Sequence, residues 1–600
     1  MLSVNDRIRE LRRIMKAKKI DIYYIPNEDD HLSEEYTAGY FRCKSFISGF
    51  SGESGCVIIT QKFAGLWTDG RYFTQAEKEL EGSCVELMRL KQPGIPDPED
   101  FLIQKTPRGG ILGFDGQVVS AAAARRLEQA LLQKNAHIYM EEDLVSAIWK
   151  ERPSMPKDEV FVLSEKYTGE TAKERIRRVR EVMKERKADV LVLTALEDPC
   201  WLFNIRGNDI PCTPVVYAFA MITRTKTYYY VDLSKVPYGV KNALKEAGVT
   251  IRPYRALGDD LATLKDKVIW ADLNRLNAGL YLKLDAGNTI LNNPSPVLAF
   301  RAVKNETEIK NTYNAHVRDA AAVCSFICWL KQNAGKGDLT EVSVQNVLYG
   351  LRAAQKDYIE PSFETICAYR ENAAMMHYTA KEDSCAKIRP QGFLLVDSGG
   401  TYRDGTTDIT RTIALGDVSV KEKKLYTLVL KGHLDLAAAR FLYGTTGNNL
   451  DILARRPLWD INIDYQCGTG HGVGHVLSVH EGPHGIRWGM PTVSRPSAIL
   501  EEGMIVTDEP GIYLPSQLGI RIENELLVVK DSENFYGKWL KFDQLTFVPY
   551  ERDAIDVSML DDTELKQLND YHKLCWETVS PHLNGKEKAW LKKATARMSR

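Results

Sequence analysis

Hydrophobic and polar positions along the first half of the chain follow two periods in turn. Over residues 4–18, apolar side chains recur every three or four positions among Arg and Glu, which predicts an amphipathic helix. The apolar run 20–25 then reads as a strand, as do 56–60 and 65–68, which lead into Asp69-Gly70-Arg71-Tyr72. Pro93, Pro96 and Pro98 mark a loop, and residues 121–133 return to helical spacing. The order then repeats. Arg175-Ile176-Arg177-Arg178-Val179-Arg180-Glu181-Val182-Met183-Lys184 lines up with Arg7-Ile8-Arg9-Glu10-Leu11-Arg12-Arg13-Ile14-Met15-Lys16. Each copy runs into a short apolar strand (20–25; 190–193) and then an aromatic-rich run ending at an aspartate, Asp69 or Asp232. This recurrence predicts two related α/β domains in tandem.

From residue 305 the pattern changes. A long helix is expected, with 320–330 buried and Cys324 and Cys328 packed in its core face. Strand-like segments at 393–396, 409–414, 505–507 and 526–529 surround a helical stretch at 425–439, the makings of one large α+β domain. Residues 557–600 keep helical spacing but end in Lys592, Lys593, Arg597 and Arg600, and are expected to form a solvated tail. A polar, proline-bearing boundary near 153–156 and another near 301–304 divide the chain into 1–155, 156–304 and 305–600. The last of these includes a C-terminal extension from about 540.

Composition narrows the class without changing this picture. A chain of 600 residues exceeds one hydrophobic core, so roughly three or four domains are expected. Lys+Arg (79) and Asp+Glu (80) nearly cancel, which argues against nucleic acid or an anionic membrane as partner. The N-terminal residues have no apolar stretch of signal-peptide length, and no apolar run would span a bilayer. The 11 cysteines are odd in number, dispersed and never in a C-x-x-C pair, as reduced thiols of a cytoplasmic protein would be.

The densest chemistry lies in Cys467-Gly468-Thr469-Gly470-His471-Gly472-Val473-Gly474-His475 and its continuation Val479-His480-Glu481-Gly482-Pro483-His484. Four of the chain's 11 histidines fall here, interleaved with glycines that permit close backbone approach and positive φ. His480 to His484 fits H-E-x-x-H, but that motif needs a helix, which Gly482-Pro483 would break. No P-loop lysine follows the glycines either. A metal site would therefore draw its other ligands from elsewhere. Asp397 ends the strand Leu394-Leu395-Val396, and Asp408 precedes the alternating Ile409-Thr410-Arg411. Glu509 follows Ile505-Val506-Thr507-Asp508, and Glu523 is expected in the middle of a strand Gly519-Ile520-Arg521-Ile522-Glu523-Asn524. Asp508 should face away from Glu509 and is left out. Buried acids on apolar strands are costly unless paired or metal-bound. Four of them with one imidazole suit two hard divalent ions such as Mn²⁺, which can clamp a water and lower its pKa.

In this order and context, Asp397, Asp408, His471, Glu509 and Glu523 resemble the metal ligands of the pita-bread metallopeptidases. That family includes methionine aminopeptidases, prolidases, aminopeptidases P and creatinase. Gly-Thr-Gly-His-Gly-Val-Gly, Val-His-Glu-Gly-Pro, Asp-Glu-Pro-Gly-Ile-Tyr and Gly-Ile-Arg-Ile-Glu-Asn are similar to phrases of its three-domain aminopeptidase P branch. So are Glu371-Asn372-Ala373-Ala374-Met375-Met376-His377-Tyr378 and Trp67-Thr68-Asp69-Gly70-Arg71-Tyr72-Phe73, and the likeness covers nearly the whole chain. It implies two creatinase-like α/β N-terminal domains before a pita-bread catalytic domain. It also implies a dinuclear metalloaminopeptidase that removes a residue preceding proline, and a homodimer.

By the same resemblance, Asp397 would hold one metal, His471 and Glu509 the other, and Asp408 and Glu523 would bridge them. Glu509 would also take a proton from the attacking water. His377 and His480 would hydrogen-bond the substrate, and Arg521 would support the ligands from behind. Many relatives carry histidine where this chain has Cys467, a small buried cysteine on our reading. His475 and His484 receive no role beyond structure. Two alternatives stand beside this reading. One is a prolidase, although prolidases usually carry a single N-terminal domain. The other is a metal-free peptide- or histone-binding relative, which the retention of all five ligands and the lack of an acidic tail oppose.

Overall fold

A computed structural model of the chain describes residues 2–33, 36–491 and 497–600. The chain forms two compact units, one of Met1–Leu163 with Glu170–Val297, the other of Ser164–Gly169 with Leu298–Arg600.

In the first unit the helix Val4–Ala17 buries Ile8, Leu11 and Met15, and the Ser3 side chain caps it by accepting the Asp6 N–H. Its counterpart Ala172–Glu185 buries Ile176, Val179 and Met183 behind a Thr171/Glu174 capping box. Each helix accompanies a six-stranded sheet. Across the first sheet the strands run 86–89, 64–68, 56–60, 22–25, 111–113, 137–139; across the second, 249–253, 227–231, 218–223, 190–193, 268–271, 289–292. The spatial order is the same in both. So are the directions: antiparallel between the first strand in sequence and its hairpin partner, parallel to the strands on its other side. The recurrence in sequence is thus a recurrence of topology.

Between the two sheets sits a buried polar knot. Tyr217 Oη donates to Asp29 (2.8 Å) and Tyr254 Oη to Asp30 (2.6 Å). The His31 ring bridges the Thr194 carbonyl and Tyr254 Oη, stacked on Phe219.

The second unit opens with the expected long helix, α1 (Glu306–Asn333), whose Asn305 cap forms a capping box with Glu308. Helix α2 (Glu341–Ala353) packs against it. Strands β1 (Ile366–Tyr369), β2 (Phe393–Ser398) and β3 (Ile409–Ala414) form an antiparallel sheet. Leu394, Val396 and Ile413 face the α1/α2 core together with Cys324, while Phe393 and Ala414 face the opposite core with Leu425, Tyr426 and Ile520. Asp397 shares the strand face of Phe393 and Leu395.

Helix α3 (Val420–Ala437), strand β4 (Arg440–Leu442) and helix α4 (Gly447–Trp459) follow. Strands β5 (Gly470–Gly472), β6 (Glu481–Ile486) and β7 (Ile505–Asp508) come next, then the hairpin β8 (Gly511–Leu514) and β9 (Leu518–Arg521). Long strands β10 (Asn524–Asn534) and β11 (Gly537–Gln544) complete a second sheet in the order β4-β11-β10-β7-β5-β6. His480 and His484 therefore flank and occupy a strand, not a helix.

The expected solvated tail is contradicted. Helices α5 (Asp562–Val579) and α6 (Gly585–Ala594) bury Leu568, Tyr571, Cys575, Val579 and Leu591 in the two cores. The spacing of the first four is an apolar stripe of helical period, and the terminal lysines occupy the outer face where α6 ends.

Candidate metal centre

Five segments converge where the β1–β3 sheet meets the hairpin β8–β9 and the second sheet. Asp397, at the end of β2, pairs in register with Thr410 of β3. Thr410 Oγ1 donates to Glu523 Oε2 (2.8 Å) and accepts from Arg521 Nε (3.1 Å). Arg521 Nη2 in turn donates to Asp397 Oδ2 (2.5 Å), and its Nη1 to Tyr513 Oη (2.6 Å). Glu523 was expected in mid-strand; it lies instead between β9 and β10, where its N–H donates to the Thr410 carbonyl (3.1 Å). That break in pairing turns its side chain onto the face of Thr410.

On the other side, His471 on β5 anchors its N–H to Thr507 Oγ1 (3.0 Å), and Nδ1 lies 2.9 Å from the Gly472 carbonyl. With Nδ1 held there, Nε2 is turned toward the carboxylates of the site. Nε2 lies 3.5 Å from Asp408 Oδ2 and 3.5 Å from Glu509 Oε1. Ligand atoms of Asp408, His471 and Glu523 all fall within 4.8 Å of one another.

The charge is lopsided. Asp397, Asp408 and Glu523 are buried and Glu509 partly so, with the Arg521 guanidinium bonded among them. Asp397 Oδ1 is buried without a hydrogen-bond partner. Burial first, then the neighbouring carboxylates, hold Glu523 well above the usual carboxylate range. Burial likewise raises Asp397 and Glu509 against the pull of Arg521 and His471 respectively. At His471 burial opposes the charge, but Asp408, Glu509 and the Gly472 carbonyl outweigh it and lift the pKa to about 9. These are the signs of a cage short of positive charge. Four carboxylates, one imidazole and an orphaned carboxylate oxygen fit hard divalent cations.

Expected close approach at the glycines is seen, whereas positive φ is not: Gly470 and Gly472 both lie outside the left-handed region. A Cβ on Gly470 would meet the Thr507 carbonyl at 1.9 Å, and one on Gly472 the Glu481 carbonyl at 2.4 Å. His480 is exposed, its ring perpendicular to that of His471 with centroids 4.3 Å apart. His377 follows a short turn, residues 370–374, that packs on β9, the strand of Arg521. His475 and His484 are buried and hydrogen-bonded within the fold, to Thr312 and the Tyr167 carbonyl and to the Ile505 carbonyl respectively. Asp508 turns away from the site to His433 (3.1 Å). Cys467 is partly buried, and burial, with Glu509 nearby, pushes its thiol up to about 12, so it is neutral.

Sequence reasoning missed Thr410, Tyr513 and Glu525. Thr410 had a signal, because it shares the strand face of Asp408. Glu525 Oε1 accepts the Asp408 N–H (2.6 Å) and stands 3.2 Å from His316 of α1, a pairing no local pattern announces.

Comparison with known proteins agrees with this geometry. The description of metallopeptidase family M24 matches residues 310–530, and its C-terminal region matches 538–598. Creatinase/prolidase N-terminal domains match 7–145 and 151–308. Aminopeptidase P2 of Arabidopsis thaliana is 38% identical over 97% of this chain and 87% of its own. Xaa-Pro aminopeptidase 1 of Dictyostelium discoideum is 38% identical over 98% and 96%. A solved X-prolyl aminopeptidase of Caenorhabditis elegans, described as a cytosolic enzyme with a di-nuclear active site, superposes over 100% of both chains. Its TM-score is 0.94 at 33% identity.

The chain belongs to metallopeptidase family M24, with two creatinase-like domains preceding its pita-bread domain. It is a metal-dependent aminopeptidase whose centre takes two metal ions and whose substrates are peptides.

Proposed function

We propose that the enzyme removes the N-terminal residue from peptides with proline in second position, using Asp397, Asp408, His471, Glu509 and Glu523 as metal ligands. The convergence of Asp408, His471 and Glu523 within 4.8 Å, with Glu509 beside His471 and Asp397 tied in through Arg521, carries this reading. Asp397 would hold one ion, His471 and Glu509 the other, and Asp408 and Glu523 would serve both. Mn²⁺ suits an oxygen-rich cage with one nitrogen. When bound, such a pair acidifies a water and polarises the scissile carbonyl.

The chain's own residues do the rest. Glu509, beside His471, takes the proton of the attacking water and returns it to the proline nitrogen as the C–N bond breaks. His480, exposed, and His377, half-buried, donate to the substrate carbonyl and to the oxyanion that develops on it. Arg521 fixes Asp397 and, through Thr410, Glu523. A bond before proline lacks an N–H and restricts the preceding residue, so a dedicated site is needed.

The eleven unpaired cysteines support a cytoplasmic location. Among the described residues no helix is long and apolar enough to cross a membrane. An exposed apolar group on the second unit, Ile452, Trp459, Trp488 and Met490 (the last 90% exposed), supports a homodimer through the catalytic domain.

The test is turnover of Ala-Pro-Pro, Ala-Pro and Ala-Ala-Ala after chelation and Mn²⁺ repletion, on material sized by gel filtration. Release of alanine from Ala-Pro-Pro at a rate well above the other two is expected, from a dimer. Preference for the dipeptide would make it a prolidase, and indifference to proline would remove the specificity.

A further inference from the structure

The segment that carries His377 is held by one carboxylate from outside the metal centre. Glu341, the first residue of α2, is completely buried. It accepts from the Tyr369 N–H (2.6 Å), from Asn372 Nδ2 (3.0 Å), from Tyr378 Oη (2.7 Å) and from the Ala386 N–H (2.7 Å). All four donors belong to residues 369–386, and two of them, Asn372 and Tyr378, bracket His377. Asn372 Nδ2 also reaches Tyr378 Oη (3.1 Å), which closes the loop on itself.

The opposite side of this segment lies in tight contact with β9. Ala373 lies so close to β9 that a Cβ on Gly519 would stand 1.8 Å from its carbonyl oxygen. Ala368, Ala373 and Leu395 form a small buried cluster beneath it, against which Tyr378 packs. Leu395 lies on the face of β2 that carries Asp397. The turn is therefore clamped between a carboxylate on α2 and two strands that bear site residues, Asp397 on β2 and Arg521 on β9.

Resting on the substrate contact assigned to His377 above, we propose that Glu341 is a positioning residue for His377. Its buried carboxylate sets the height of the imidazole over the metal centre. A buried carboxylate satisfied by four donors from one short segment tolerates little movement of any of them, because each lost bond leaves charge uncompensated. Small displacements of a group that acts on the reacting carbonyl are expensive in rate.

The test compares the Mn²⁺-loaded Glu341→Gln, His377→Ala and double variants for kcat and KM on a proline-containing tripeptide, with bound metal and thermal midpoint measured alongside. Glu341→Gln is expected to lower kcat about 10- to 100-fold while retaining both metals. The double variant should be no slower than His377→Ala alone, since nothing remains to be positioned. Losses that multiply in the double variant, or an unchanged kcat in Glu341→Gln, would overturn the proposal. An unimpaired His377→Ala enzyme would instead remove the role of His377 and leave Glu341 nothing to position. If Glu341→Gln does not fold, Tyr378→Phe keeps the carboxylate and deletes one of its four donors. It should show a smaller kcat loss that vanishes in the His377→Ala background, and a loss that persists there overturns the proposal as well.

Discussion

Gly470 and Gly472 flank His471 and act through the space they leave, since the Thr507 and Glu481 carbonyls occupy the room a methyl group would need. A Gly470→Ala substitution must move β5 away from β7 and carry His471 with it. Metal affinity is expected to fall by about 10- to 100-fold or more. Equilibrium dialysis measures this, with circular dichroism as a check on the fold, and full metal retention would contradict the account. The glycine–histidine run advertised closeness in the sequence but not its cause. Glycine serves two purposes, and only neighbours distant in sequence decide between φ and space. Asp397, Asp408 and Glu509 were legible because an acid bordering an apolar strand needs a partner. Glu523 was placed correctly in order but not in structure, because Ile520 and Ile522 continue the strand pattern through a junction that the Thr410 carbonyl interrupts. Glu341 and Glu525 gave no local signal: their partners come from other elements.

At the level of elements, the three imidazole-bearing segments hang from buried carboxylates. Glu341 holds the His377 turn, Glu481 next to His480 pairs with Arg301 and Lys304, and Asp451 of α4 accepts from Thr469 two residues before His471. The C-terminal helices belong to the same scaffold. Tyr571 of α5 accepts from Arg411, whose guanidinium also donates to the Glu523 carbonyl. Leu568→Ala is expected to cost about 2–5 kcal/mol in denaturant unfolding, as for a core leucine, whereas a solvated tail would show almost none. The basic end drew the sequence reading outward. The stripe at 568, 571, 575 and 579 was the better guide, because helical spacing reports the buried face and terminal charge does not.

Over the whole molecule, the first unit carries a pH dependence seated in its buried polar knot. Burial raises Asp29 to about 6, and burial together with Asp29 raises Asp30 to about 8; burial lowers His31 to about 3. A carboxyl whose folded pKa exceeds its unfolded value stabilises below the unfolded pKa, and that stability drains as pH rises to the folded one. His31 works in the opposite sense, but its contribution is complete above its ordinary value of 6.5. Between pH 6.5 and 8, Asp30 thus dominates, and unfolding of the first unit should become easier across this window. Asp30→Asn should flatten the slope of thermal midpoint against pH, and a parallel slope would refute the assignment. The duplicated topology was legible because helix, strand and terminal aspartate recur in one order. The knot joining its two sheets was not, because the partners of Asp29, Asp30 and His31 lie far away in sequence, at Tyr217, Tyr254 and Thr194.

The central claim is that five residues form one dinuclear aminopeptidase centre. Chelated protein titrated with Mn²⁺ while alanine release from Ala-Pro-Pro is followed tests it most directly. The account predicts no turnover without metal and a plateau at two equivalents per chain, with Glu523→Ala silent at every ratio. Turnover that survives chelation, or that is unaffected in Glu523→Ala, would contradict it.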